Sequence, residues 1–339
     1  MLTERRAAIL RSIVEEYVDS AQPVASRVVA LKYLGHVSPA TIRNEMVRLE
    51  EEGYISQPHT SAGRVPSDKG YRYYVERLMR EEAPSTEMGL MVRHQFHQVE
   101  ERLEDWARLA AVVLAAHVQA LAVVTAPRQR PARLRWLELV KLQELLALLV
   151  VVLQQAQVRQ QLLPLPEPLE QDDLSAIGRS LSERFAGQDA QDVRSRLEGL
   201  SPLERTVMEA VAAILEAEDR SSYEPAAIEG LREALSQPEF QERERVLDLL
   251  GFLEGSGRLG RLLPFPAPPR GQVQVIIGSE HPESSLRHYS VVAAAYGQPS
   301  ATGTVALVGP TRLRYGRAVG MVRFVASLLD ELMAASFGG

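Results

Sequence analysis

Cysteine is absent from all 339 residues, which removes disulfides, thiolate catalysis, zinc–cysteine centres and iron–sulfur clusters from consideration. The absence suits a cytoplasmic protein. Long apolar runs are missing too. Residues 107–126 are rich in alanine but interrupted by Arg108, His117 and Gln119, and residues 145–153 are too short a run. A membrane span needs about 20 predominantly apolar residues, so both stretches are expected to be buried core, with no membrane partner. The opening MLTERRAAIL carries charges where an export signal requires its apolar segment, so none is expected.

Catalytic and cofactor-binding constellations are also lacking. The run from Gly255 to Gly260, GSGRLG, has the spacing of a dinucleotide fingerprint. It follows the helix-like VLDLLGFLE and enters a proline-rich loop, where a strand and a helix are required. His94 and His97 stand one turn apart with no third ligand in view. The acidic residues 50–52 and 239–244 lack the apolar enclosure that tunes catalytic carboxylates, so they read as solvated faces. No Ser–His–Asp set is identifiable. Neither enzyme activity nor a cofactor or metal is expected.

What is present describes an ordinary globular chain, 45% hydrophobic and 24% charged. Its length predicts two or three domains at about 150 residues each. The net charge of −6 is uneven: residues 1–80 hold 12 Lys and Arg against 10 Asp and Glu, leaving −8 for the rest. A mildly basic head on an acidic body fits nucleic acid at one end and protein at the other.

The head centres on residues 38–66, SPATIRNEMVRLEEEGYISQPHTSAGRVP. Ser38 is placed to cap a helix whose first position is Pro39. Ile42, Met46 and Leu49 fall on one side, and Gly53 ends the helix in a left-handed cap. The other side carries Ala40, Arg43, Asn44, Val47 and Arg48. Small, amide and guanidinium groups there suit a DNA major groove; an amphipathic helix with a solvated polar face is the other reading. Two helices precede it. One is capped by Thr3 and runs to about residue 19, with Ile9, Ile13, Val14 and Tyr17 on one face. The second spans 26–33 and is opened by a hydroxyl cap. A tight connection containing Gly35 leads on, so the three make a helix-turn-helix pattern. Residues 54–57 and 64–66 then read as strands of a β-hairpin, a wing. Ser67 caps a further helix with Tyr71, Tyr74 and Leu78 packing on the head.

Arg43 and Asn44, with Ala40 beside them, are the candidates for base-edge readout, since guanidinium suits guanine and carboxamide suits adenine. Ser38, Thr41, Arg48, His59, Thr60, Ser61, Arg64, Lys69 and Arg72 are the candidates for DNA backbone and wing contacts. The segments SPATIRNEM, LEEEGYI and QPHTSAGRVPSDKGYRYYV resemble the signature of the HrcA family of heat-inducible transcription repressors, in a match running almost unbroken over residues 2–74. Ala25 and the pair Val28-Val29 depart from the family pattern.

In the body, residues 88–124 read as one long helix with Leu103, Trp106, Leu109, Val113 and Leu114 apolar. Residues 134–142, 145–153 and 158–163 read as strands, 169–261 as mostly helical, and 272–277, 289–295 and 304–308 as strands again. A last helix covers about 315–337, with Val319, Val322, Val325, Leu328 and Leu332 available for packing. This order predicts an α+β body. Here too the chain resembles the HrcA family, in Ile277-Gly278, Ala295-Tyr296-Gly297 and the GPTRLRY of residues 309–315. His288-Tyr289 and Ala306 depart from it.

The resemblance implies an α+β multidomain fold. A winged helix-turn-helix occupies 1–80, the two parts of a GAF-like α/β domain occupy 88–168 and 270–339, and a mostly helical dimerising insertion occupies 169–261. It implies a homodimer that represses chaperone genes at an inverted-repeat operator in double-stranded DNA, releases on heat stress and is modulated by the GroE chaperonin. The alternative is a winged-helix regulator that senses a small molecule through the GAF-like domain.

Overall fold

A computed structural model describes every residue except 1, 36, 59–62, 100–101, 128–130, 155–156, 222–224, 255–262, 265–266, 299–300 and 338–339. The fold is mixed α/β with antiparallel sheets. It divides into two compact units, one made of Met1–Pro127 with Glu224–Gly339 and the other of Arg128–Tyr223. Among the described residues no helix is long and apolar enough to cross a membrane.

The larger unit begins with α1 (Glu4–Ser20), α2 (Ser26–Lys32) and α3 (Pro39–Glu51). Thr3 caps α1 by accepting the Arg6 N–H, and Ser38 caps α3 by accepting from Thr41 at 3.1 Å. Each cap satisfies a first-turn donor that the helix itself cannot pair. No side chain caps α2: Ala25 takes the N-cap position, and Ser26, expected as a hydroxyl cap, is buried inside the first turn. Ile9, Ile13 and Val14 of α1 meet Val29 of α2 and Ile42, Met46 and Leu49 of α3 in one core. Strands β1 (Ile55–Ser56) and β2 (Val65–Pro66) pair antiparallel, and Val24 forms a bridge with Arg64 alongside them. Helix α4 (Asp68–Tyr73), capped by Ser67, widens into a π turn over Tyr74–Leu78.

Residues 88–124, expected as one helix, form three elements: part of α5 (Thr86–Gln98), α6 (Leu103–Val118) and strand β3 (Leu121–Thr125). Val99 leaves α5 in extended backbone, and Gln119 ends α6 at φ +57°. Along α6 the outward positions recur every fourth residue, at Glu104, Arg108, Val112 and Ala116, and the last two are apolar. The second half of the helix therefore reads as hydrophobic nearly all round before it runs into a strand buried along its whole length. With apolar residues on the exposed stripe as well, the sequence loses the period that would separate helix from strand.

After the second unit, β7 (Pro225–Glu229), α10 (Leu231–Leu235), α11 (Arg243–Glu254), β8 (Val273–Ile277), β9 (Tyr289–Gln298), β10 (Ala301–Pro310) and α12 (Tyr315–Phe337) complete the larger one. The described strands make an antiparallel sheet in the order β7-β3-β10-β9-β8. One face carries α6 and α12, with Val292, Ala294 and Tyr296 facing Val322, Val325 and Leu329 across a single core. Phe240 packs on Tyr289 at 6.0 Å on the opposite face. With both faces covered, β9 can be an almost unbroken apolar run, YSVVAAAYGQ.

In the second unit, β4 (Leu134–Gln143), β5 (Leu146–Leu153) and β6 (Val158–Pro164) form an antiparallel meander. Helices α7 (Gln171–Phe185), α8 (Ala190–Ser195) and α9 (Pro202–Ser221) follow. Leu137, Leu139, Leu149 and Val151 bury one sheet face with Leu174, Leu181 and Phe185 of α7 and Val207, Val211 and Leu215 of α9. The three strands thus belong with these helices in one unit, where the sequence divided them at residue 169.

Candidate nucleic-acid interface

Helix α3 is held from one side and presented on the other. Ile42, Met46 and Leu49 are buried, whereas Ala40, Arg43, Asn44, Val47 and Arg48 are exposed. The Ser38 hydroxyl also lies 2.9 Å from that of Thr41, so both polar groups complete the start of the helix. At the other end Gly53, at φ +76°, turns the chain so that Tyr54 donates its N–H to the Leu49 carbonyl at 2.8 Å.

The charges of this helix are sorted. Glu45 and Glu52 both pair with Arg6 of α1. Glu50 pairs with Arg64 at the base of the hairpin, from Nε at 3.0 Å and from the second terminal nitrogen at 2.9 Å. Three of its carboxylates are therefore compensated by cations from neighbouring elements. Arg43 and Arg48 make no ion pair among the described residues, so their charge is left on the exposed face. A guanidinium, a carboxamide and a methyl group side by side can address guanine, adenine and thymine edges.

The remaining expected residues fall into three situations. His59, Thr60 and Ser61 lie outside the described residues. Lys69 is exposed; it donates to the Glu52 carbonyl at 2.7 Å and stands 4.6 Å from the centre of the Tyr54 ring, so it closes the C-terminus of α3 with charge to spare. Arg64 and Arg72 are turned inward. Arg64 is held by Glu50, and Arg72 binds Glu280 through both carboxylate oxygens and the Val275 carbonyl at 2.7 Å. These two arginines spend their donors inside the chain.

Sequence reading missed the residues that hold the face in place. Glu50 lies within the LEEEG run, whose position in a capped helix could have marked it as a partner for a later cation. Val24 gave no signal; its N–H donates to the Arg64 carbonyl at 2.8 Å, and the Arg64 N–H donates back at 2.9 Å. Gly63 sits so close that a Cβ there would overlap the Pro23 and Val24 backbone. Arg27 of α2 is a further exposed cation.

Residues 104–319 match the family model described as the HrcA protein C terminal domain. The chain is 40% identical over 339 residues to the heat-inducible transcription repressor HrcA of Dehalococcoides mccartyi strain ATCC BAA-2266, covering 100% of this chain and 98% of that one. With the protein of the same description from Thermomicrobium roseum it shares 41% identity over 339 residues, covering 100% and 97%. A crystal structure of a hypothetical protein at 2.2 Å resolution has a similar fold, with a TM-score of 0.59, 24% identity and 99% of both chains covered.

Proposed function

The chain belongs to the HrcA family of heat-inducible transcription repressors, which are not enzymes, and from that membership we propose how it represses: as a cytoplasmic homodimer it binds an inverted-repeat operator upstream of chaperone genes through a winged helix-turn-helix head. The observation that carries this reading is the sorting of charge on α3, where Glu45, Glu50 and Glu52 are neutralised from within and Arg43 and Arg48 are left facing outward. In this reading α1–α3 are the helix-turn-helix, β1–β2 the wing, and the five-stranded sheet with α6 and α12 the GAF-like body.

Arg43 and Asn44 read base edges, with Ala40 allowing close approach. Ser38, Thr41, Arg48 and Lys69 serve the phosphates with Arg27, while Arg64 sets the wing. His59, Thr60 and Ser61 are assigned to the wing tip from sequence alone.

Dimerisation is supported by the second unit. On the sheet face opposite α7 and α9, Trp136, Val152 and Val158 lie in register across three strands, as do Val140, Leu148 and Leu162. Trp136 is 40% exposed, Val158 50% and Leu162 57%. Apolar rows of this kind mark a surface that is covered in the working protein, and a second copy of the same chain covers it by two-fold symmetry.

Warming destabilises the body and with it the DNA-binding form; the GroE chaperonin restores it, so repression follows the supply of free chaperonin. Fluorescence anisotropy against the chain's own upstream DNA, on a temperature ramp with and without chaperonin, tests the whole reading. Preferential binding over a scrambled duplex that falls on warming and recovers with chaperonin supports it. Equal binding to the scrambled duplex removes the operator assignment, and an affinity unchanged across the stress range removes heat control.

A further inference from the structure

The head is not tethered to the sheet by a loose linker. Helix α4 docks on the end of β8 through an interlock of side chains far apart in sequence. Arg72 grips Glu280 with two nitrogens and the Val275 carbonyl with one of them. Glu280 is itself aimed by the Ile277 N–H, which donates to its Oε2 at 2.8 Å. In return, Asp68 of α4 accepts the Ser279 N–H at 2.8 Å. The approach is close enough that a Cβ at Gly278, which sits at φ +48°, would overlap the Asp68 carboxylate.

Behind these polar groups Tyr71 packs on Tyr315 with ring centres 5.8 Å apart, and both rings are almost fully buried. A second attachment holds α1. Arg312, just before α12, reaches the Val18 carbonyl while Glu239 and Gln237 hold its other nitrogens at 2.7 and 2.8 Å. Arg314 pairs with Asp19 at 3.0 Å.

Two attachments on different helices fix orientation as well as position, since one alone would leave a rotation free. We propose that Arg72, Asp68 and Glu280 are positioning residues that lock the reading helix to the sheet and so set the half-site spacing the repressor accepts. This rests on the DNA-binding reading above and adds to it: the phosphate role expected of Arg72 from the sequence is replaced by an internal one. A dimer with locked heads presents two reading helices in a defined relation, whereas freed heads search a range of spacings at lower effective concentration.

The variants to use are Glu280→Gln and Asp68→Asn, which weaken the interlock without removing an exposed cation. Binding is measured on an isolated half-site and on operators whose spacer is lengthened or shortened by two base pairs. The full-length wild type is expected to favour one spacer roughly tenfold, and the variants to retain less than about a threefold preference while binding the half-site as the wild type does. A profile as sharp in both variants as in the wild type overturns the proposal. So does a flat wild-type profile, or an equal change on every DNA including the half-site, which would return Arg72 to phosphate contact.

The interlock has a readout that needs no DNA. Because the chain has no cysteine, a spin-label pair at Glu51→Cys and Ser327→Cys, diluted with unlabelled subunits, reports the head-to-sheet distance within one protomer. A narrow distribution that broadens in Glu280→Gln is expected, and equal widths overturn the lock. Failure of the wild type to bind any inverted repeat would instead remove the operator reading, with this distance measurement still deciding the interlock.

Discussion

Arg64 reaches back to Glu50, the last turn of α3, and spends its Nε and one terminal nitrogen on a single carboxylate oxygen at 3.0 and 2.9 Å. The Arg64 side chain is only 16% exposed. The base of the hairpin and the last turn of α3 are therefore tied together, and the angle between them is held by an ion pair.

Arg64→Gln and Glu50→Gln are expected to weaken operator binding through the same lost constraint. In a double-mutant cycle read by anisotropy, their effects overlap, leaving a coupling of roughly 1 kcal/mol. Strictly additive losses would make Arg64 an independent phosphate ligand.

Arg43 and Lys69 separate differently. Arg43→Ala should cost about 1–3 kcal/mol on the matched operator and relax preference at one base position per half-site. Lys69→Ala should weaken all sequences alike and lower the salt slope by about one. Titrations on matched and mismatched operators at several salt concentrations decide. Equal loss on every sequence for Arg43→Ala takes it out of base readout.

The exposed sheet face of the second unit can be tested without DNA. Val150 sits between the two apolar rows, opposite Glu138 and Gln160. Val150→Lys adds a charge at the centre of the surface proposed to join two subunits, and burying an unpaired charge costs several kcal/mol. Sedimentation velocity should show a monomer at concentrations where the wild type is dimeric. A dimer as tight as the wild type would place the interface elsewhere.

His281 predicts a pH dependence. Burial holds its imidazole below the usual value, opposed by the Glu280 carboxylate and a backbone hydrogen bond with Tyr289. The unfolded chain therefore takes up a proton that the folded one refuses. Stability is full above the unfolded value of about 6.5 and falls as pH drops through it, until the folded group titrates as well. Denaturant melts of His281→Gln between pH 7.5 and 5.5 should show a shallower fall than the wild type, by up to one proton. Parallel curves would clear His281 of that role.

Local chemistry was readable from the residues alone. The caps at Thr3, Ser38 and Ser67 and the buried triad Ile42, Met46 and Leu49 depend on neighbours within a turn or two, and they stand where their spacing puts them. The strands near 134 and 146 were marked by leucine- and valine-rich runs, and the one near 158, whose VRQQLL is half polar, was marked more faintly. Where exposed positions are apolar as well, as at Val112 and Ala116 on the way from α6 into β3, the pattern carries no period, and the break at Gln119 leaves no composition signal. Nor can spacing assign a partner far along the chain. Arg72 looks the same in sequence whether it faces solvent, a phosphate or Glu280, and only the folded chain brings residue 280 to it. The unit boundary was missed for a related reason: strands in the second unit carry the same apolar signature as those of the main sheet.

Strand β3, which precedes the second unit, pairs directly with β7, which follows it, with Thr125 opposite Pro225. The chain leaves the sheet and returns to it at neighbouring positions, so everything between is topologically a hairpin loop grown to the size of a domain. Exchange of that loop for a tight turn leaves the order of the described strands unchanged. The second unit is thus a side branch of one strand-to-strand connection: its three strands form a sheet of their own, and the order of the five-stranded sheet does not depend on them.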